Sequence, residues 1–408
     1  MKSVCLLVQN VYDVDPRVKR KAEALAAAGY AVDVLALRPS NGNKTYILNG
    51  VNVYTVSLGK KRGSLLRYAF EYTTFFLWAL ARVTLLMRRR RYIAVDVNTL
   101  PDFLVFAAIP ARWMGAKLIL DMHEITPEFY MSKYGIAENS WLVRLLKYQE
   151  KISFNRADYV ITITEPIQNL LIGRGLDPAK STIVMNAVDE TPFASALGPA
   201  AANSDPDKFV MMYHGTLTRV YGLDLAVEAF SLVHENMPGA ELWILGSGTE
   251  ERTLTELARQ RGVWSKIKLL GRVPSSDIPA SLGKCDAGIL PMRRDVFLEF
   301  AFPNKLPEFI IMGKPVLMSR LKTIRHYFSE RALAYFEPND PADLARLMAR
   351  LYQDRDLQAR LAAKAKEEYV PLRWDIMKKR YLDLIEEASG LLRKTESSVT
   401  PETVAVGG

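Results

Sequence analysis

The sequence predicts an α/β fold made of two domains, each a parallel sheet covered by helices on both faces. Three observations predict it. Short apolar runs alternate with helical patterns almost from end to end, which is the signature of a parallel sheet wrapped on both sides. One small, polar, Pro-bearing stretch at residues 194–208 interrupts this alternation, which then restarts. At 408 residues the chain is also longer than a typical single domain.

The elements follow in order. Residues 4–8 read as a strand. A helix is predicted over 15–28, with Asp15 as its cap, Pro16 at its first position and Gly29 as its stop. Strands follow at 31–37, 51–57, 92–97 and 117–120, with a helix from about Pro101 to Met114 before the last. Helix covers much of 140–155, and 159–164 returns to strand. Beyond the linker, strands are predicted at 209–213, 241–245, 267–270, 287–290, 315–318 and 333–336. Helices at 224–235 and 250–261 lie among them, and 342–352, 357–369 and 374–392 form a helical end. The predicted domains are therefore 1–193 and 209–394, joined by the linker 194–208. The last helix, 374–392, is a candidate to pack back on the first domain, and 395–408, rich in Ser, Thr and Gly, reads as a disordered tail.

Composition narrows the function. The chain is 49% hydrophobic and 24% charged, ordinary for a soluble globular protein. Its two cysteines, Cys5 and Cys285, lie in predicted apolar strands or helix ends and read as reduced core residues, so a cytoplasmic protein is expected. No leader peptide is visible. Four histidines show no metal-ligand spacing, so neither metal nor cofactor is expected. The net charge of +9 is concentrated around Arg17 to Lys21, Lys60 to Arg67 and Arg88 to Arg91, and favours an anionic surface or substrate. No G-x-G-x-x-G opens the first helix, and Walker, serine-nucleophile and zinc signatures are missing. Nucleic acid is disfavoured as a partner, because the basic residues flank a long apolar segment rather than a recognised module. That segment, 60–91, is broken by Arg67, Glu71 and Arg82, and its uninterrupted apolar portion is too short to span a bilayer. It reads either as an amphipathic helix on an anionic membrane surface or as a helix packed on the sheet with a solvated basic end.

The most informative stretch is Phe302-Pro303-Asn304-Lys305-Leu306-Pro307-Glu308-Phe309, with Gly313-Lys314-Pro315-Val316 after it. It reads as a loop, a short helix, a Gly stop and a buried strand. A helix start aims unpaired N–H groups at what sits above it and suits a phosphate. Lys305 adds positive charge, and Glu308, one turn on, is placed to accept hydrogen bonds from sugar hydroxyls. An anion site beside a polyol site is what a nucleotide-sugar needs. Two sheets joined by one linker also leave a cleft between the carboxyl ends of their strands, the default ligand site.

This stretch resembles the "ALPNKLFEY…GKPV" signature of family 4-like retaining glycosyltransferases, which have the GT-B fold of two Rossmann-like domains around a cleft. Other segments are similar in the right order: Asp15-Pro16-Arg17-Val18, Asp121-Met122-His123-Glu124, Asn186-Ala187-Val188-Asp189, His214-Gly215-Thr216-Leu217, Leu270-Gly271-Arg272-Val273 and Cys285-Asp286-Ala287-Gly288. The resemblance implies a donor site in the second domain. There Glu308 would take the ribose hydroxyls, the Asn304, Lys305 and Leu306 amides would face the diphosphate, and Arg272 and Val273 would flank the base. His123 would sit over the reacting sugar, or else be a structural histidine. Glu124 would bind acceptor hydroxyls or orient His123, with Asn186 on the same acceptor side.

Two departures from the family pattern stand out. Many members carry Glu-x7-Glu, but Phe300 is eight residues before Glu308 and Glu299 nine, so Glu299 either supplies that carboxylate through a bulge or the contact is absent. Where members carry an Arg and a Lys in the first loop, this chain has Thr216 and Tyr221. Arg219 lies between them, either reaching the diphosphate or standing as an exposed loop cation. The expected function is transfer of a hexose or N-acetylhexosamine, with retention and without metal, from a nucleoside-diphosphate sugar to a saccharide or lipid-linked saccharide in bacterial envelope polysaccharide assembly. Such an enzyme would be cytoplasmic or peripheral on the inner face of the plasma membrane. The rival expectation is a non-catalytic nucleotide-sugar-binding scaffold on the same fold.

Overall fold

A computed structural model describes residues 2–59, 65–194 and 208–390. The tail at 395–408, and the linker apart from its end residues, lie outside the described residues. The first sheet contains β1 (Ser3–Val11), β2 (Ala31–Leu37), β3 (Thr45–Leu48), β4 (Val51–Val56), β5 (Tyr92–Asn98), β6 (Lys117–Met122), β7 (Tyr159–Thr162) and β8 (Ser181–Ile183), in the order β3-β4-β2-β1-β5-β6-β7-β8. The second contains β9 (Phe209–His214), β10 (Ala240–Leu245), β11 (Ile267–Gly271), β12 (Ala287–Leu290), β13 (Val316–Ser319) and β14 (Ala334–Phe336), in the order β11-β10-β9-β12-β13-β14. Every neighbouring pair is parallel except β3 with β4. This is an α/β fold of two domains.

Local chemistry explains the elements that position the site. The helix Pro16–Ala27 starts where Asp15 accepts from the Val18 amide at 3.1 Å, with Pro16 where a missing N–H costs nothing. Its Val18, Ala22 and Leu25, spaced by four and three, are buried against the sheet. The helix Leu65–Met87 packs on the other face through Phe75, Ala79, Val83 and Leu86, while Phe70, Leu77 and Leu85 point to solvent. Of the two readings of segment 60–91, packing on the sheet is realised, and one helix face is left outward. Residues 60–64 lie outside the described set.

Some elements differ from expectation. The single helix expected near 101–114 is a 3-10 segment, Asp102–Ala108, followed by a short α-helix, Ile109–Trp113. Pro110 cannot continue a hydrogen-bond ladder but is tolerated in the first turn of a new helix. The edge strand β3 has no clear sequence signal, because it is only half apolar and its exposure alternates. It is joined to β4 by Asn49-Gly50, both at positive φ (49° and 78°), the backbone of a tight hairpin.

The chain's last helix, Trp374–Ala388, lies against the first domain, where the Tyr381 hydroxyl donates to Asp96 Oδ2 on β5 at 2.7 Å. The domains also meet at the cleft rim. Ser132 Oγ donates to Asp295 Oδ2 at 2.7 Å, and Phe129 and Phe297 pack edge to face at 5.6 Å.

Candidate active site

On the first domain, the carboxyl ends of β5 and β6 carry Asp96, Asn98 and Asp121, polar residues alternating with core residues. The first helix sends Arg17 and Lys21, one turn apart, into the same place. Arg17 grips Asp121 with two nitrogens, at 2.7 and 3.1 Å. Lys21 Nζ donates to Asp96 Oδ2 at 2.8 Å and to Asn98 Oδ1 at 2.7 Å, and it pairs with Asp121. Two cations and two carboxylates thus balance inside a core that would not tolerate any one of them alone. Burial alone would raise the Asp121 pKa, but Arg17, Lys21 and His123 outweigh it and hold the carboxyl well below its usual range.

His123 stands on this cluster at the end of β6. Its Nε2 lies 3.1 Å from Asn98 Oδ1 and 3.4 Å from Asp121 Oδ2, and its backbone N–H donates to Thr99 Oγ1 at 3.0 Å. The ring is therefore fixed from below and opens on a cavity of about 290 Å³ lined by Gln9, Asp15, Glu71 and Glu124 among others.

On the second domain, β9 ends at His214, which is buried with only 5% exposed. Its Nε2 lies 3.1 Å from Glu308 Oε2 but is misaligned for a hydrogen bond, and neither atom has a hydrogen-bond partner. Lys305, at the start of the helix Lys305–Ile311, threads under the first loop. Its Nζ lies 4.3 Å from the Tyr221 ring centroid and 5.5 Å from that of Tyr213. Gly215 makes room for it: its φ is +125°, and a Cβ there would sit 2.1 Å from Lys305 Cε. Gly246 has φ +149°, and a Cβ there would sit 1.8 Å from Gly215 O. The two loops can approach only as glycines. Burial drops the Lys305 pKa to about 8, with Glu308 pulling it back up. Beside this group His214, Gly215, Thr216, Arg272 and Val273 line a cavity of about 400 Å³.

The two sites face one another. Burial raises the Tyr221 pKa, and the Glu124 charge, at the end of β6 across the cleft, raises it further. A wall bearing Lys305 and Arg272 thus opposes a histidine and carboxylates on the other.

Comparison with known proteins agrees with this geometry. Residues 199–368 match the model for glycosyl transferases group 1, and residues 14–187 match that for a glycosyl transferase 4-like domain. The chain belongs to the group 1 glycosyltransferases. A relative of this glycosyltransferase is the glycogen synthase of Mycobacterium tuberculosis, 25% identical over 74% of this chain and 73% of that protein. Among solved structures, sucrose-phosphate synthase from Thermosynechococcus elongatus superposes with a TM-score of 0.74 at 18% identity, over 96% of this chain and 100% of that one. Anabaena HepE, solved in complex with UDP and glucose, has a TM-score of 0.67 at 15% identity, over 95% and 100%. These likenesses establish the GT-B fold.

The predicted residues of this glycosyltransferase do not all converge. His123 and Glu124 share the first cavity, and Thr216, Arg272 and Val273 share the second, beside Lys305 and Glu308. Three others lie apart from these. The Leu306 amide donates to Pro303 O at 3.1 Å, which closes the turn, so it is not a spare donor. Glu299 points into a separate cavity, where it pairs with Arg294 at 2.7 Å and accepts from the Lys322 amide at 2.6 Å. Asn186 accepts from Arg20 Nη2 at 2.9 Å and does not line the His123 cavity. Asn304 and Arg219 are exposed.

Sequence reasoning missed Lys21, Asp96, Asn98, Tyr381, Gln9 and Glu71. A signal existed for the first three. Lys21 lies on the buried face of its helix, between Val18 and Leu25, and Asp96 and Asn98 interrupt an apolar strand at a period of two.

Proposed function

We propose that this glycosyltransferase moves a hexose or N-acetylhexosamine with retention, from a nucleoside-diphosphate sugar held by its second domain to a saccharide or lipid-linked saccharide held by its first. The observation that carries this reading is the group formed by buried His214 with half-buried Glu308 and Lys305, in which His214 Nε2 and Glu308 Oε2 lack hydrogen-bond partners, across the cleft from Glu124 and its neighbour His123. Departure of the nucleotide builds negative charge on the diphosphate. Lys305 would supply a preorganised cation there, stabilising that charge without a metal. Glu308 would hold the ribose. The leaving phosphate would take the proton of the acceptor hydroxyl as that oxygen attacks the same face of the sugar. His123, its ring fixed by Asn98 and Asp121, would position the transferred sugar. HepE's complex with UDP and glucose supports a donor of this kind.

The acceptor side supports an envelope role at the inner face of the plasma membrane. No helix among the described residues is long and apolar enough to cross a membrane. The first domain instead exposes Phe70, Leu77 and Leu85 on one helix and Trp141, Leu145 and Tyr148 on the helix Trp141–Arg156, interspersed with Arg144 and Lys151.

The direct test is a thermal-shift panel of nucleoside-diphosphate sugars on the wild type and Glu308→Ala, followed by turnover with the stabilising donor. A donor that stabilises the wild type, with the shift and turnover both lost in Glu308→Ala, is expected. A donor that binds tightly while no acceptor gives turnover would favour the scaffold reading instead.

A further inference from the structure

The His123 cavity differs sharply in charge from the one opposite. Three carboxylates line it, those of Asp15, Glu71 and Glu124, and no lysine or arginine does among the described residues. The carboxylates do not converge as a metal-ligand set: no group of His, Cys, Asp and Glu suited to a metal occurs among the described residues. The second, independent observation is Gln9. It is 6% exposed, lines the cavity from the carboxyl end of β1, and its Oε1 has no hydrogen-bond partner. A buried carbonyl oxygen left without a donor is costly and calls for a donor from the cavity's occupant. On the helix Leu65–Met87, Tyr68 and Tyr72 add two rings with centroids 6.0 Å apart, tilted by 58°. Glu71 lies between them, held in place by Arg67 Nε at 2.7 Å.

We propose that this cavity seats the acceptor's receiving sugar ring, and that it accepts a neutral, hydroxyl-bearing ring while rejecting one that carries a carboxylate, sulfate or phosphate. The inference rests on the reading of the first domain as the acceptor side. Carboxylates and the Gln9 oxygen are acceptors, so the partner must bring O–H or N–H donors, which a pyranose ring carries in number. Tyr68 and Tyr72 add apolar lining for its C–H side. An anionic ring would meet like charge at close range in a partly buried site. At about 290 Å³ the cavity stands at the small end of ligand pockets, with room for a ring rather than a chain. Gln9 and Glu71 are the specificity-determining residues, and the same helix that walls the cavity carries the outward Phe70 and Leu77.

The test is binding of the full chain to an array of glycans that pairs neutral with uronate-, sulfate- and phosphate-terminated forms, for the wild type, Gln9→Leu and Glu71→Gln. Bound glycans are expected to end in neutral rings, at least tenfold above their anionic pairs. Gln9→Leu should cut that signal tenfold or more. The isosteric Glu71→Gln, which keeps the helix, should shrink the neutral-over-anionic ratio at least fivefold. Equal capture of the anionic forms, an unchanged ratio in Glu71→Gln, or capture of no glycan at all would overturn the proposal. The nucleotide-sugar thermal shift, read on the same samples, separates the outcomes. If it persists while the array result fails, the acceptor inference is wrong. If it is also missing, the donor-site reading has failed.

Discussion

Lys305 concentrates the chemistry of the second domain in one side chain. Burial lowers its pKa to about 8. Below that value the ammonium is present and can meet a diphosphate. Above it, binding must first restore the proton. Donor affinity is therefore expected to be flat from pH 6.5 to about 8, then to weaken by about tenfold per pH unit. Calorimetric titration across pH 6.5–9.5 checks this, and Lys305→Met should bind weakly with no such slope. The folding consequence has the opposite sense. A lysine whose pKa is lower folded than unfolded costs stability below about 8, and this cost is relieved as pH rises from there toward 10.5. Lys21 poses a different case. Its four-group cluster is neutral as a whole, so Lys21→Met leaves Asp96 and Asp121 to share Arg17. A loss of about 3–5 kcal/mol is expected from urea denaturation, with much of it recovered in the double variant Lys21→Met with Asp96→Asn.

At the scale of elements, the helix Leu65–Met87 can be dissected face by face. Phe75→Ala opens a hole against the sheet and should cost about 3–5 kcal/mol, whereas Leu77→Ala, on the outward face, should change the stability read from denaturation by less than about 0.5 kcal/mol. A bilayer readout inverts that ranking: Leu77→Ala should weaken flotation with anionic vesicles and Phe75→Ala should not. This helix also shows how far sequence reading reaches. Its four-four-three apolar spacing and basic ends are visible in the letters, but which face meets the sheet depends on partners far along the chain. The alternating strands and the Asp15 cap were legible because each is a local preference. The two readings of Glu299 stay open in the sequence because family spacing places residues along the chain, whereas Arg294 and the Lys322 amide decide where its carboxylate points. The Lys21 cluster was unreadable as a unit, since its members are drawn together only when β1, β5 and β6 align.

At the scale of the molecule, two facing walls divide the work by charge. Lys305 and Arg272 lie on the second domain beside His214 and Glu308, and Asp15, Glu71 and Glu124 lie with His123 on the first. The connection between them runs both ways. The chain crosses once through the linker, and it returns when the last helix lays Tyr381 on Asp96. Tyr381→Phe removes the donor to a buried carboxylate and should cost about 1–3 kcal/mol, read as a lower melting temperature with nucleotide affinity unchanged.

That returning helix sets a rule for engineering. A chimera that swaps nucleotide preference by exchanging everything after residue 208 would also import a foreign cover for the recipient's buried ion cluster. Grafts spliced twice, once in the linker and again just before Trp374, would keep each half with its own native lid.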